Sequence, residues 1–240
     1  IYSNNKSLPV SIIGSKFLRP IKYYENLGSA QCKSAVMFAA LKTPGITKII
    51  AKKSRNHSEL LFKYLNIPIK VIKKRNYDHI EINGLKNFRG FDYKVPGDIS
   101  SCSFFIVLAL LSDNSKICLK NININNTRIG IVKILKKMNA SIYFKNKRNY
   151  NGELIGDIIV KSTKNLKNIN CPENLNSSAI DEFLVIFLLA AKAKGISSFK
   201  KLSELNKKES PRLDIAIQFL RKIGVKVLRK NDDIKIYGNP

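Results

Sequence analysis

Ser177-Ser178-Ala179-Ile180-Asp181 runs through Glu182 into Phe183-Leu184-Val185-Ile186-Phe187-Leu188-Leu189-Ala190-Ala191, a polar segment that opens onto the longest apolar run of the chain. That run is far short of the roughly 20 residues needed to cross a bilayer. A helix apolar on every side belongs in a core, so the segment predicts a buried helix reaching Ala193, ended by Gly195. A strand over 196–199 follows, then a helix from Pro211 and a strand over 225–228. In the second helix Leu213, Ala216, Ile217, Leu220 and Ile223 recur at helical spacing and give one buried stripe.

The same sequence of elements occurs twice before. Asn26-Leu27-Gly28-Ser29-Ala30-Gln31 leads into small and apolar residues up to Leu41, which predict a helix buried nearly all round. Strands are expected over 46–51 and 67–72. Between them Asn56 and Glu59 form a capping-box pattern ahead of Leu60, Leu61, Tyr64 and Leu65. Short strands are expected over 8–14, 78–82 and 91–95. Val95-Pro96-Gly97-Asp98-Ile99-Ser100-Ser101 then precedes an apolar helix over 102–111 and a strand over 116–120. A helix starting at Asn125-Asn126-Thr127 carries Ile131, Leu135 and Met138 on one face, and a strand over 140–144 follows. One unit (apolar helix, strand, amphipathic helix, strand) thus recurs roughly every 70 to 80 residues, the mark of stacked equivalent subdomains of an α/β protein. Each apolar helix starts from Ser together with Gln or Asp. Free N–H groups and the positive end of the helix dipole make such a start receptive to an anion. A Ser-capped core helix has the same sequence.

Bulk properties narrow the classes. The 240 residues are 44% hydrophobic and 25% charged, with a net charge of +26 and a pI near 10.0. Nucleic-acid binding calls for basic residues gathered on one face. Here the lysines are spread along the chain, as AT-rich codon usage would also leave them, and no arginine-rich tract, zinc-finger spacing or RNA-binding aromatic motif accompanies them. Part of the excess suits small phosphorylated substrates. Cys32, Cys102, Cys118 and Cys171 form no C-x-x-C pair. The first three lie in apolar segments and read as small core residues. His57 and His79 lack the spacing of a metal site, so no metal is expected, and a reducing, cytoplasmic setting fits. The chain opens on Ile1, which suggests a piece of a longer protein.

Leu205-Asn206-Lys207-Lys208-Glu209-Ser210-Pro211-Arg212-Leu213 gathers the densest charge, with Glu209 enclosed by Lys207, Lys208 and Arg212 where a loop becomes a helix. Ser210 is the expected cap and Pro211 the expected first helical residue. A capped surface helix with solvated charges explains the stretch. A site for an anionic substrate is the alternative, and on these residues alone the solvated helix is the favoured reading.

Six motifs occur in one order. They are Ser29-Ala30-Gln31-x-Lys33-Ser34-Ala35, Ser54-Arg55-x-His57-x-Glu59, Val95-Pro96-Gly97-Asp98-x-Ser100-Ser101, Asn125-x-Thr127-Arg128, Ile180-Asp181-Glu182 and Lys208-Glu209-Ser210-x-Arg212-Leu213. In this series the chain resembles the EPSP synthase (3-phosphoshikimate 1-carboxyvinyltransferase) family over nearly all its length. The resemblance implies two similar domains of three βαβαββ units each, with residues 1–95 as the later part of one and 96–240 as most of the other. The architecture would then be incomplete at both ends. It also implies transfer of the enolpyruvyl group of phosphoenolpyruvate to the 5-hydroxyl of shikimate 3-phosphate, in the shikimate pathway of aromatic amino-acid biosynthesis, by a cytoplasmic monomer without metal or organic cofactor.

By the same resemblance Asp181 and Glu209 are the acid/base pair. Ser29, Ala30 (through its backbone), Gln31, Arg55, Asp181 and Lys208 hold shikimate 3-phosphate, and Gln31 and Arg212 hold phosphoenolpyruvate. Asn206, Pro211 and Asn56 depart from the Arg, Asp and Asp usual in the family. The family's N-terminal Lys-Ser and Arg, its Asn-Ala-Gly loop, its later Asp-His-Arg and its final Lys have no counterpart in the chain. The expectation is an internal fragment that does not turn over alone. A sister transferase acting on UDP-N-acetylglucosamine and a basic nucleic-acid-binding module are the competing readings. The Ser-Ala-Gln and Lys-Glu-Ser-x-Arg runs disfavour the first, and the retained Asp181, Glu209 and Arg212 disfavour the second.

Overall fold

Alternation decides the strands. In β4 (Ile46–Lys52) Thr47, Ile49 and Ala51 point into a core while Ile46, Lys48 and Lys52 face out, the period of two that a one-faced strand requires. The computed structural model describes residues 2–4, 7–84, 87 and 90–240. These divide into a unit of residues 1–53 with 62–90, and a second of 54–61 with 91–240.

In the first unit β1 (Tyr2–Asn4) and β2 (Ser7–Ser11) pair as an antiparallel hairpin. After β3 (Lys22–Glu25) come α1 (Ala30–Ala40), β4, the helix α2 (His57–Tyr64), of which residues 57–61 belong to the second unit, β5 (Ile69–Lys73) and β6 (Tyr77–Asn83). The strand order is β3-β4-β6-β5, with β3 parallel to β4 and the other pairs antiparallel. Met37, Ala40, Ile49, Ala51, Phe62, Ile67, Ile80 and Ile82 form its core. The helix expected to be buried nearly all round is corrected. Only Lys33, Met37 and Ala40 of α1 are buried, and Phe38 is 50% exposed. One stripe of the helix meets the core, and the small residues between leave the rest outside.

The second unit contains α3 (Ile99–Leu111), β7 (Lys116–Asn123), α4 (Gly130–Lys137), β8 (Ile142–Tyr150) and β9 (Glu153–Lys161). A 3-10 helix (Glu173–Ser178), α5 (Phe183–Ala191), β10 (Gly195–Phe199), a second 3-10 helix (Ser203–Lys207), α6 (Arg212–Lys222), β11 (Val227–Lys230) and β12 (Asp233–Gly238) follow. Its two sheets run β7-β9-β8 and β10-β12-β11, the order of β4-β6-β5. Parallel bridges Gly97↔Ile122 and Asn170↔Ser198 stand where β3 pairs with β4. The chain is thus built on one βαβαββ plan used three times. Phe183, Phe187 and Phe199 stack at centroid distances of 5.0 to 5.9 Å in the core shared by the last two copies.

Close backbone contact marks the end of two copies. A Cβ on Gly84 would lie 2.0 Å from the Thr43 carbonyl oxygen, and one on Gly238 would lie 1.9 Å from that of Ala193. At each place the last strand presses against the end of the apolar helix, and only glycine fits.

Several expectations are corrected. Residues 91–95 form no strand, and β3, β9 and β12 were not foreseen. The helix expected at Asn125 starts at Gly130, because the Asn125 side chain accepts Thr127 N–H at 2.8 Å and closes a local turn instead. Cys32 and Cys118 are exposed and Cys102 half-buried, while Cys171 is buried. Cys118 falls on the outward side of the alternating strand β7. Among the described residues no helix is long and apolar enough to cross a membrane.

Candidate active site

The second unit gathers its charge around Asp181, in the turn between the first 3-10 helix and α5. Arg55 donates to Asp181 Oδ2, which also receives Arg128 Nη1 at 3.3 Å, and Arg212 Nη1 donates to Oδ1 at 3.1 Å. Three guanidiniums thus converge on one carboxylate whose side chain is 23% exposed. Burial acts to raise its pKa, but Arg55, the Arg212 hydrogen bond, Arg128 and Lys208 outweigh it and hold Asp181 below the usual carboxylate value. Its neighbour Glu182 behaves oppositely. Burial pushes Glu182 up despite the hydrogen bond it accepts from Ser100.

Arg212 joins the second carboxylate to the first, since its Nη2 donates to Glu209 Oε2 at 2.7 Å. Glu209 is 78% exposed, and its own backbone N–H together with Arg212 keeps its pKa low. Lys208 pairs with Glu204 at 3.2 Å and reaches Asp181 only through its field.

The expected Ser210 cap is not made. Pro211 occupies the position before α6 without a side-chain cap. Asn206 Oδ1 accepts Leu213 N–H at 2.9 Å and Asp214 N–H at 3.3 Å, and its Nδ2 donates to Asp214. A short amide reaches across the turn to the first-turn N–H groups where the Ser210 hydroxyl does not. Asn206, one of the three departures from the pattern the resemblance implies, therefore orders the start of the Arg212 helix.

Arg55 is set by its own segment. Asn56 Oδ1 accepts from Asn125 Nδ2 at 2.9 Å and Thr127 Oγ1 at 3.3 Å, Asn125 also donates to Glu153, and His57 Nδ1 lies 2.5 Å from Glu153 Oε1. Burial opposes ionisation of Glu153, but His57 and the asparagines lower its pKa overall. His57, Glu153, Asp98 and Arg128, with Phe91 and Tyr93, also line a cavity of about 390 Å³.

The first unit holds the remaining expected residues at the start of α1. Ser29 Oγ accepts Cys32 N–H at 3.2 Å, Ala30 is the first helical residue and Gln31 is exposed. Buried Glu25 accepts Leu27 and Gly28 N–H groups at 2.9 Å each and fixes the loop that delivers Ser29. Arg55, Asp181, Glu209 and Arg212 are thus one hydrogen-bonded group, with Lys208 beside it in charge, and Ser29, Ala30 and Gln31 another. Sequence reasoning missed Arg128. It stood in the Asn125-x-Thr127-Arg128 motif without a role, although a guanidinium preceding a buried helix was the available signal.

Residues 1–239 match the family described as EPSP synthase (3-phosphoshikimate 1-carboxyvinyltransferase). A 3-phosphoshikimate 1-carboxyvinyltransferase of Petrotoga mobilis is 39% identical over 238 residues, 98% of this chain and 54% of its own length. One from Ruthia magnifica is 40% identical over 240 residues, 99% of this chain and 54% of its own. Among solved structures, EPSP synthase from Acinetobacter baumannii is 34% identical with a TM-score of 0.86, covering 99% of this chain and 53% of that one. The enolpyruvyl transferase NikO from Streptomyces tendae, 13% identical with a TM-score of 0.63, covers 93% of this chain and 52% of that one and shares the fold. The chain spans about half the length of the curated relatives it matches. Threefold use of one βαβαββ plan and a family match running from the first residue to the last but one make this chain a member of the EPSP synthase family.

Proposed function

We propose that the chain carries part of the site of an enzyme that transfers the enolpyruvyl group of phosphoenolpyruvate to the 5-hydroxyl of shikimate 3-phosphate, releasing phosphate, and that it does not turn over alone. The observation that carries this reading is that Arg212 binds both Asp181 and Glu209. The reaction removes a proton from a hydroxyl and adds one to a methylene carbon, so it needs two acid/base groups around the reacting pair. Asp181 and Glu209, tied to one guanidinium, supply two such groups at one place. In this reading Asp181 takes the hydroxyl proton and Glu209 serves the methylene carbon. Lys208 lies near the hydroxyl, Arg212 clamps phosphoenolpyruvate by a bidentate contact, and Gln31 lies between the substrates. Ser29, Ala30 and Arg55 hold the phosphate of shikimate 3-phosphate. Residues 1–95 belong to the domain that contacts this phosphate, and 96–240 to the domain carrying the carboxylates. The reaction belongs to aromatic amino-acid biosynthesis, carried out by a cytoplasmic monomer without metal or organic cofactor.

A carboxylate among three cations is a weak base. Anionic substrates change that, because each guanidinium drawn to a phosphate or carboxylate is withdrawn from Asp181. Its proton affinity then rises when both substrates are bound, which is when a base is required. Calorimetric titration of the protein with shikimate 3-phosphate tests the reading. Saturable binding that is lost in both Arg55→Ala and Asp181→Ala is the expected result. Binding of UDP-N-acetylglucosamine in place of shikimate 3-phosphate would overturn it.

A further inference from the structure

Arg128 differs from the other two arginines at Asp181. Its side chain is 11% exposed, against 31% for Arg55 and 24% for Arg212. While Nη1 reaches Asp181, its Nη2 donates to Asp98 Oδ1 at 2.7 Å and to Ser100 Oγ at 2.5 Å. Asp98 is itself fixed, because its Oδ2 accepts Ser101 N–H at 2.8 Å and caps α3. Ser100 in turn donates to Glu182, which is buried and adjacent to Asp181 in the chain. Arg128 therefore holds the Asp181 turn from two sides, directly through the carboxylate and indirectly through Glu182.

We propose that Arg128 is the positioning residue for Asp181, keeping the carboxylate in place when anionic substrates draw Arg55 and Arg212 away. The inference rests on the reading of Asp181 as a substrate-contacting group. A guanidinium suits the task because its planar fork serves Asp181 on one nitrogen and the Asp98–Ser100 pair on the other. A lysine ammonium supplies the charge without the fork. The groups facing Asp181 are Arg55, Arg128, Arg212 and Lys208, with Glu182 beside it, and those facing Arg128 are Asp98, Asp181 and Glu182.

The test measures two quantities on the whole chain: the titration midpoint of Asp181, followed by carboxyl-carbon NMR, and the dissociation constant for shikimate 3-phosphate. In Arg128→Gln the midpoint is expected to rise by about one pH unit, the effect of losing an opposite charge at contact distance. Affinity for shikimate 3-phosphate is expected to fall about tenfold or more, equivalent to about 1.4 kcal/mol. Arg128→Lys should restore most of the midpoint while leaving the affinity low, because charge returns and orientation does not. A purely structural role for Arg128 would lower thermal stability and leave the Asp181 midpoint where it is in wild type, and that result overturns the proposal. If Arg128→Gln does not fold, Arg128→Lys decides alone, since wild-type affinity in that variant removes the positioning role. Failure of the wild-type protein to bind shikimate 3-phosphate would sink the substrate reading, while the midpoint measurement would still judge whether Arg128 governs Asp181.

Discussion

Helices α1 and α5 read alike in the sequence and differ in the structure. Each is a run of small and apolar residues behind a polar lead-in, and each occupies the same place in its βαβαββ copy. In α1 the lead-in is consumed locally, with the Ser29 hydroxyl satisfying a first-turn N–H and the outer side of the helix, including Phe38, exposed. In α5 no side chain caps the helix, the body is buried, and Asp181 just ahead of it is left free to gather arginines. A hydroxyl that caps its own helix spends a lone pair and keeps its O–H to donate, whereas a carboxylate that caps no helix is free as an acceptor for a charge cluster. The two lead-ins thus contribute in different ways, one by presenting backbone and an exposed Gln31, the other by presenting a charged side chain.

Paired substitutions can break or sharpen that contrast. Phe187 of α5 is 0% exposed and packs on Phe183 and Phe199, so Phe187→Ala should cost about 4 kcal/mol in urea unfolding. Its counterpart Phe38→Ala in α1 should cost less than about 1 kcal/mol, and equal costs would erase the difference in burial. Asp181→Ala should cost about 2 to 3 kcal/mol, because it leaves three guanidiniums facing one another without their anion.

That second cost should depend on pH. The folded-state pKa of Asp181 lies below its unfolded value, which is about 3.9. Its contribution is therefore present above the unfolded value and lost as pH falls through the folded one. The stability gap between wild type and Asp181→Ala should narrow on acidification below about pH 4. The gap for Ser29→Ala should not change, because a hydroxyl cap does not titrate. Smaller still, Asn206→Ala should cost about 1 kcal/mol by uncapping α6, and Ser29→Ala about the same or less. Thermal melts that show no loss for Asn206→Ala would remove the capping role assigned to it.

The repeat was legible because periodic burial leaves periodic sequence. Apolar helices at regular intervals announced three copies, and the order β4-β6-β5 recurs in β7-β9-β8 and β10-β12-β11. The central strand β12 went unread although Ile234, Lys235 and Ile236 alternate, and β9 went unread because it lacks clean alternation. Glu153–Lys161 is buried on both faces through most of its length, and such a strand reads as a continuous apolar run. The charge cluster was legible in composition but not in connectivity. Glu209 and Arg212 lie near each other in sequence, whereas Asp181 meets Arg55 across 126 positions, a closure that no local pattern encodes. The Asn206 cap was hidden for a simpler reason, since Ser210 stands at the more obvious position and the backbone turn at Pro211 withholds it.

The strand order has a consequence for synthesis on the ribosome. In every copy the middle strand is the last to be made: β6 after β4 and β5, β9 after β7 and β8, β12 after β10 and β11. Until it emerges, the two earlier strands have no partner between them and present open edges, the surfaces that invite pairing with another chain. At elongation rates of about 5–20 residues per second, that exposure lasts for seconds in each copy. Arginine and lysine on the waiting strands (Lys145, Lys147 and Arg148 in β8, Arg229 and Lys230 in β11) give those edges like charge during the interval. Like charge on those two strands disfavours their pairing with an identical edge of another chain.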